Sequence, residues 1–333
     1  MRRKSLSDKI RESGPLLDEG RPPAIALAPP APAVEAAPGP DAGDIHRRAM
    51  AYVGEAMARV RAREPLSMDQ GIALVGEVVA ACDAGEDLFS LALHQENGED
   101  FQARHGANVA VFMARLTGDM GLSRENRLLP CAAGLFHDLG RALLPESLLN
   151  KPGPISEKER KEVHRCPEFS RDLLAQYAPD LPVLAKCALE AYERADGSGY
   201  PKGKKCGEIH EFACVLGLAD LFEALIHTRP HRSRFLHHTA AREVLRTGKR
   251  LFDPWLMKAF LRTFTLFPLH SCVRLNSGAM GRVVATRPEH PLRPAVRILL
   301  NCEGERPREE NVVDLTLEPL LFVTEAVQCP EQP

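Results

Sequence analysis

The sequence has no excess of charge of either sign. Its 43 Lys and Arg stand against 45 Asp and Glu, a formal net charge of -2. That balance excludes a broad basic surface of the kind that holds nucleic acid by counterion release, so no DNA or RNA partner is expected. No window approaches the roughly 18 apolar residues of a membrane span, and no membrane partner is expected either. Met1-Arg2-Arg3-Lys4 opens like a signal peptide, but Ser5 to Ser13 is polar and no apolar segment follows. The nine cysteines are odd in number, scattered and never spaced C-x-x-C. They support neither a disulfide framework nor a zinc ribbon, and they fit a reducing cytoplasm. Aromatic residues are scarce, at 5% with a single Trp, and there is no internal repeat of roughly 20 to 50 residues. What is present, 44% hydrophobic and 26% charged residues over 333, is the composition of a soluble globular protein. Its length allows roughly two domains and a core that needs no staples.

Seven prolines and eight alanines fall within residues 21–43. Such a stretch cannot sustain a helix interior and has little to bury, so 1–43 reads as a disordered tail. From Asp44 the pattern changes. Ala49, Met50, Val53, Ala56, Met57 and Val60 recur at three- and four-residue steps, one face of an amphipathic helix. Similar stretches run to about residue 265, giving a helical N-terminal segment over 44–100 and a helical domain over 101–265. Ser156 with Glu159 is a capping-box start, Asp253-Pro254 is an N-cap followed by proline, and Gly140 and Gly248 are expected helix stops. After Pro268 the period shortens towards 2. The runs Cys272 to Leu275, Gly281 to Ala285, Ala295 to Leu299 and Asn311 to Leu315 predict a small antiparallel β-rich extension over 266–333. The fold class is therefore mainly α, with a β appendage.

Chemistry concentrates around His137-Asp138, an imidazole beside a carboxylate at the expected end of an apolar helix. Alone the pair means little. His105 lies on an apolar helix upstream, His164 on the capped helix downstream, and Asp220 interrupts the apolar run Phe212 to Ile226. A buried Asp costs several kcal/mol unless a metal, a cation or hydrogen bonds compensate it. Histidine and carboxylate spread over several helices is how helical bundles build internal metal sites. Taken singly, each has a plainer reading as a surface group, a satisfied core residue or an internal cap.

An ordered set of motifs extends the cluster. It comprises His137-Asp138-Leu139-Gly140-Arg141, Pro145 to Gly153, His164, Glu193 to Pro201, Glu208-Ile209, Ala219 to Leu225 and Arg229-Pro230-His231-Arg232. Over about 130 residues this order resembles the HD-GYP family, the branch of the HD metal-dependent phosphohydrolases whose characterised members cleave cyclic di-GMP. The stretch from Asn276 to Arg297 resembles the β extension that often follows such domains. The resemblance implies an HD-type helical bundle. It further implies that His105, His137, Asp138 and Asp220 surround one divalent cation, that Asp138 bridges to a second, and that His164 is a ligand of that second ion. Arg141, Arg229 and Arg232 match substrate-phosphate contacts, with Arg141 where the family usually has Lys. Gly199, Tyr200 and Pro201 match the signature loop that shapes the substrate side of the pocket.

The departures are equally specific. The family carries two adjacent histidines immediately before Glu193, both metal ligands; here they are Ala191 and Tyr192. Ala191 can ligate nothing, and Tyr192 could bind iron only as a phenolate. Phe101 stands where some members supply a Glu to a third metal, and Glu223 replaces the second Asp of an Asp-x-x-Asp pair. The expectation is one tight divalent site, for Fe or Mn, with a second weak or absent. The implied activity is that of a cyclic di-GMP phosphodiesterase in bacterial second-messenger signalling, with His137, Asp138 and Arg141 at the reacting centre. The alternative is a catalytically impaired domain that serves as a cyclic-dinucleotide receptor or a docking module for other signalling proteins.

Overall fold

The computed structural model describes residues 41–85, 87–94, 100–228 and, with short gaps, 235–329. All but the last three residues of the Pro/Ala-rich tail lie outside them. Contacts divide the chain into two units, Met1–Arg234 with Lys249–Leu256, and Phe235–Gly248 with Met257–Pro333.

The first unit is helical. Its elements are α1 (Ala42–Ala62), α2 (Asp69–Ala84), α3 (Asp87–His94), α4 (Phe101–Asp119), α5 (Arg124–Phe136), a 3-10 turn (Leu139–Leu143), α6 (Glu146–Leu149), α7 (Glu157–Val163), α8 (Cys166–Tyr177), α9 (Pro182–Glu190) and α10 (Glu211–Ile226). Helix α1 begins where the Asp41 carboxylate accepts the Gly43 N–H at 2.9 Å. It buries the stripe Ile45, His46, Ala49, Tyr52, Val53, Ala56, Met57 and Val60, the amphipathic face expected from the apolar spacing. His46 belongs to that stripe although it is polar.

Helix α4 is central. Asp100 caps it, accepting from the Gln102 and Ala103 amides at 3.0 Å, and α1, α2, α3, α5 and α10 all pack against it. Phe112 on α4 lies between Phe89 and Phe222, at centroid separations of 5.9 and 6.1 Å. Truncating so buried a ring to Ala costs about 3–5 kcal/mol. The Ser156–Glu159 capping box forms as expected at the start of α7, with Ser156 accepting from the Glu159 amide and Glu159 from the Ser156 amide.

Two glycine stop signals did not behave as expected. Gly248 lies inside α11 (His237–Leu251), and Gly140 lies within the 3-10 turn. A Cβ on Gly140 would collide with the Cys166 carbonyl and the Ser170 amide, so glycine here permits close approach of α8 rather than ending a helix.

The second unit holds most of α11 and α12 (Pro254–Thr263) and a five-stranded sheet: β1 (Cys272–Leu275), β2 (Met280–Ala285), β3 (Ala295–Leu300), β4 (Val312–Asp314) and β5 (Val323–Val327). The order is β4-β3-β2-β1-β5, antiparallel throughout. Val273, Leu275, Val283, Val296 and Leu315 form its core. The first four strands match the expected runs; β5 was missed. Pairing of β5 with β1 brings Cys329 to Cys272, and the two form a disulfide, leaving seven free cysteines. Spacing could not reveal this bond because its halves are 57 residues apart. No helix among the described residues is long and apolar enough to cross a membrane.

Candidate metal centre

Three elements of the first unit converge on one buried point. His105 comes from the second turn of α4, His137 from the C-terminal cap of α5, and Asp220 from the middle of α10. One ligand atom of each lies within 4.8 Å of the others, and all three residues are buried. His105 Nε2 is 3.1 Å from Asp220 Oδ1, and His137 Nε2 is 3.8 Å from the same oxygen.

The outer nitrogens fix the protons. His137 Nδ1 lies 2.8 Å from the Gly134 carbonyl, which can only accept, so Nδ1 donates and Nε2 turns its lone pair inward. His105 Nδ1 hydrogen bonds to Glu223 Oε2. Burial pushes the Glu223 carboxyl up, but His105 and His227 outweigh it and hold it well below the ordinary range, so it accepts and His105 Nδ1 donates. With both rings neutral, two imidazole lone pairs and a carboxylate oxygen face one another away from water. His137 Nε2 has no hydrogen-bond partner among the described residues. Converging buried acceptors repel one another unless a cation sits among them, and mixed imidazole and carboxylate donors suit a divalent transition metal. The residues present fit such an ion.

Asp138 borders the cluster, its Oδ2 3.7 and 3.8 Å from the Nε2 atoms of His105 and His137. Both its oxygens are already engaged. Oδ2 accepts from Arg141 Nε at 2.5 Å and Oδ1 from the Tyr192 hydroxyl at 2.7 Å, while Arg141 Nη2 donates to the Tyr192 oxygen at 3.2 Å. Burial raises the Asp138 carboxyl, yet Arg141, His137 and His105 prevail and hold it at about 2. Burial pushes the Tyr192 phenol well above its ordinary value, so it remains a donor and not a phenolate.

Tyr200 lies between two other rings, stacked on His164 at 3.8 Å and on Tyr192 at 5.1 Å. Its loop is held from within. Buried Glu193 accepts from the Lys202 and Lys204 amides at 2.7 and 2.8 Å, and the Tyr200 amide donates to the Tyr192 carbonyl. A Cβ on Gly199 would lie 2.5 Å from Arg194 N, Glu193 Cα and Tyr192 O, so only glycine lets the loop fold back on the end of α9.

The HD domain family matches residues 91–256, and the KOW domain associated with HD domain matches residues 272–332. The chain is 26% identical over 268 residues to cyclic di-GMP phosphodiesterase PA4108 of Pseudomonas aeruginosa, covering 80% of this chain and 64% of that protein. It is 37% identical over 145 residues to the cyclic di-GMP phosphodiesterase response regulator RpfG of Xanthomonas campestris, covering 43% and 38%. Among solved structures, Bd1817, an HDG"Y"P protein from Bdellovibrio bacteriovorus, shares the fold, with a TM-score of 0.55 and 16% identity over 66% of this chain and 69% of that one. The chain belongs to the HD-GYP family. It spans less than two thirds of the length of these two curated relatives.

Within this HD-GYP chain, three of the five expected metal residues, His105, His137 and Asp220, form the tight group, and Asp138 lies beside them. His164 is not a member of that group; it caps α7 and is stacked on Tyr200. Arg141 turns onto Asp138. Gly199, Tyr200 and Pro201 form the folded-back loop, while Arg229 and Arg232 lie outside the described residues. Ala191 is fully buried at the end of α9. The sequence marks Glu223 only as a replacement for the second Asp of the pair and does not reveal its contact with His105. Its position one turn after Asp220, inside the same apolar run, was the available signal.

Proposed function

We propose that the protein is a metal-dependent phosphodiesterase that hydrolyses cyclic di-GMP, to the linear dinucleotide or to GMP, around one tightly held divalent cation. The observation that carries this reading is the convergence of the His105 and His137 Nε2 atoms on Asp220 Oδ1 in a buried site. His105, His137 and Asp220 would hold the ion, with Asp138 alongside, and Fe or Mn suits the donor set. Bound there, the ion supplies a water of lowered pKa and neutralises charge developing on the phosphoryl oxygens.

The remaining work falls to the chain's own groups. Asp138 stays ionised and adds negative charge beside the cluster. Arg141 supplies a fixed positive charge a phosphate can share, since a guanidinium does not lose its proton near neutral pH. The Gly199-Tyr200-Pro201 loop presents the stacked Tyr200 ring as an apolar wall, and Arg229 and Arg232 are proposed as further phosphate contacts. His164 is proposed as a ligand of a weak second ion. The named activities of the relatives support this substrate class.

A second reading is favoured by one observation: Arg141 and Tyr192 occupy both oxygens of Asp138, the carboxylate that would bridge to a second ion. On that reading the domain binds the dinucleotide without cleaving it. Incubating the metal-loaded protein with cyclic di-GMP separates the two. Linear product supports the phosphodiesterase, whereas saturable binding with no product supports the receptor.

A further inference from the structure

Helix α1 reaches the metal centre through a chain of buried hydrogen bonds. His46, on the first turns of α1, lies 2.8 Å from Asn108 Oδ1 through its Nε2. Asn108 Nδ2 donates to Glu223 Oε1 at 3.2 Å, and Glu223 Oε2 accepts from His105 Nδ1. His46, Asn108, Glu223 and His105 are at most 5% exposed. The protons run in one sense along this path. Asn108 turns its NH2 towards Glu223, so its amide oxygen, which can only accept, faces His46, whose Nε2 must carry a proton. Each bond thereby fixes the orientation of the next. The last one turns the His105 Nε2 lone pair towards Asp220.

We infer that His46 and Asn108 are positioning residues of the metal centre, so that α1 helps to set the affinity of the site for its cation. Neither residue reaches the cluster itself, and both act through Glu223. Hydrogen bonds shielded from water hold orientation more strongly than exposed ones, and outer partners of ligating imidazoles typically change metal affinity by about 10- to 100-fold when removed. A polar residue in the apolar stripe of α1 has no packing advantage over Leu, whereas its bond to Asn108 gives it a structural task. The inference rests on the proposed cation site at His105, His137 and Asp220.

The test is titration of Mn2+ into the chelator-stripped 333-residue chain by calorimetry, with thermal melting of each metal-free variant beside it. His46→Phe should weaken Mn2+ binding about threefold to tenfold and Asn108→Leu about tenfold or more. His46→Gln, which keeps a donor at similar reach, should stay within about twofold of wild type. Should His46→Phe fail to fold, His46→Met carries the same contrast with His46→Gln, having similar length and no donor. Equal Mn2+ affinity in the donor and donor-free variants would overturn the inference while leaving the cation site standing. His137→Ala is the control for that site: if it bound Mn2+ as tightly as wild type, the site reading itself would fail.

Discussion

The Tyr192 hydroxyl donates to Asp138 Oδ1 at 2.7 Å, at one of the two positions where the HD-GYP resemblance leads one to expect a metal-ligating imidazole. The substitution therefore does more than remove a ligand. It places a neutral donor on the carboxylate that would bridge two ions, and with Arg141 on the other oxygen that carboxylate is already satisfied. Reversing the change is the most informative substitution. Ala191→His with Tyr192→His should add a second bound ion and raise cyclic di-GMP hydrolysis by about an order of magnitude or more. Because Ala191 is fully buried, Tyr192→His alone should be assayed beside the pair, by metal content and product formation. No gain in either quantity from any folded variant would show that the lost imidazoles are not what limits the protein.

Removing a member of the tight group should act differently. His137→Ala is expected to abolish stable metal binding and hydrolysis while far-UV circular dichroism remains that of the wild type, because the ring spends its two nitrogens on Gly134 and the cluster. Residues that ligate together lose function together, so Asp220→Ala should be no less severe. Turnover that survived either change would place the active site elsewhere.

The signature loop makes a prediction about substrate rather than metal. Gly199→Ala puts a Cβ 2.5 Å from three backbone atoms, so the loop must move and Tyr200 must leave its stack with His164 and Tyr192. Overpacking of this kind costs about 1–3 kcal/mol. Misplaced substrate contacts should lower turnover on the order of tenfold to a hundredfold, while metal content is unchanged. A variant that lost its metal instead would show that the loop supports the cluster.

Much of this site was legible in the sequence because HD-GYP motifs fix both residue type and order. His105, His137, Asp138 and Asp220 could be named, and burial of Asp220 followed from its apolar surroundings. The partners of those residues were not legible. Glu223 on His105, Tyr192 on Asp138, and His46 behind Asn108 are relationships between segments distant in sequence, which no local pattern encodes; the Arg141–Asp138 pair, three residues apart, is the local exception. In the fold, the period-2 runs located four strands. The fifth, Val323–Val327, pairs with β1 from the far end of the chain and has no fully buried residue. Gly140 misled because close packing and helix termination call for the same residue.

Acid should loosen α7, the helix that leads to His164. The Glu159 carboxyl is held down at about 2 by Lys151 and the Ser156 cap. A carboxyl depressed on folding stabilises above its unfolded pKa, and that stabilisation is lost as pH falls through the folded value. The Glu159 contribution should therefore be complete above about pH 4.5 and disappear towards about pH 2. Thermal melts of wild type and Glu159→Gln across this range should differ near neutrality and converge in acid. A difference independent of pH would mean that the capping geometry, not the charge, matters.

The central claim is a site with a single tight cation, built on His105, His137 and Asp220, with any second ion held only weakly because Tyr192 and Arg141 engage Asp138. Elemental analysis of the 333-residue chain after anaerobic purification tests it most directly. The account predicts about one equivalent of divalent transition metal per chain, removed by His137→Ala. Two or more stoichiometric ions per chain in the wild-type protein would contradict it.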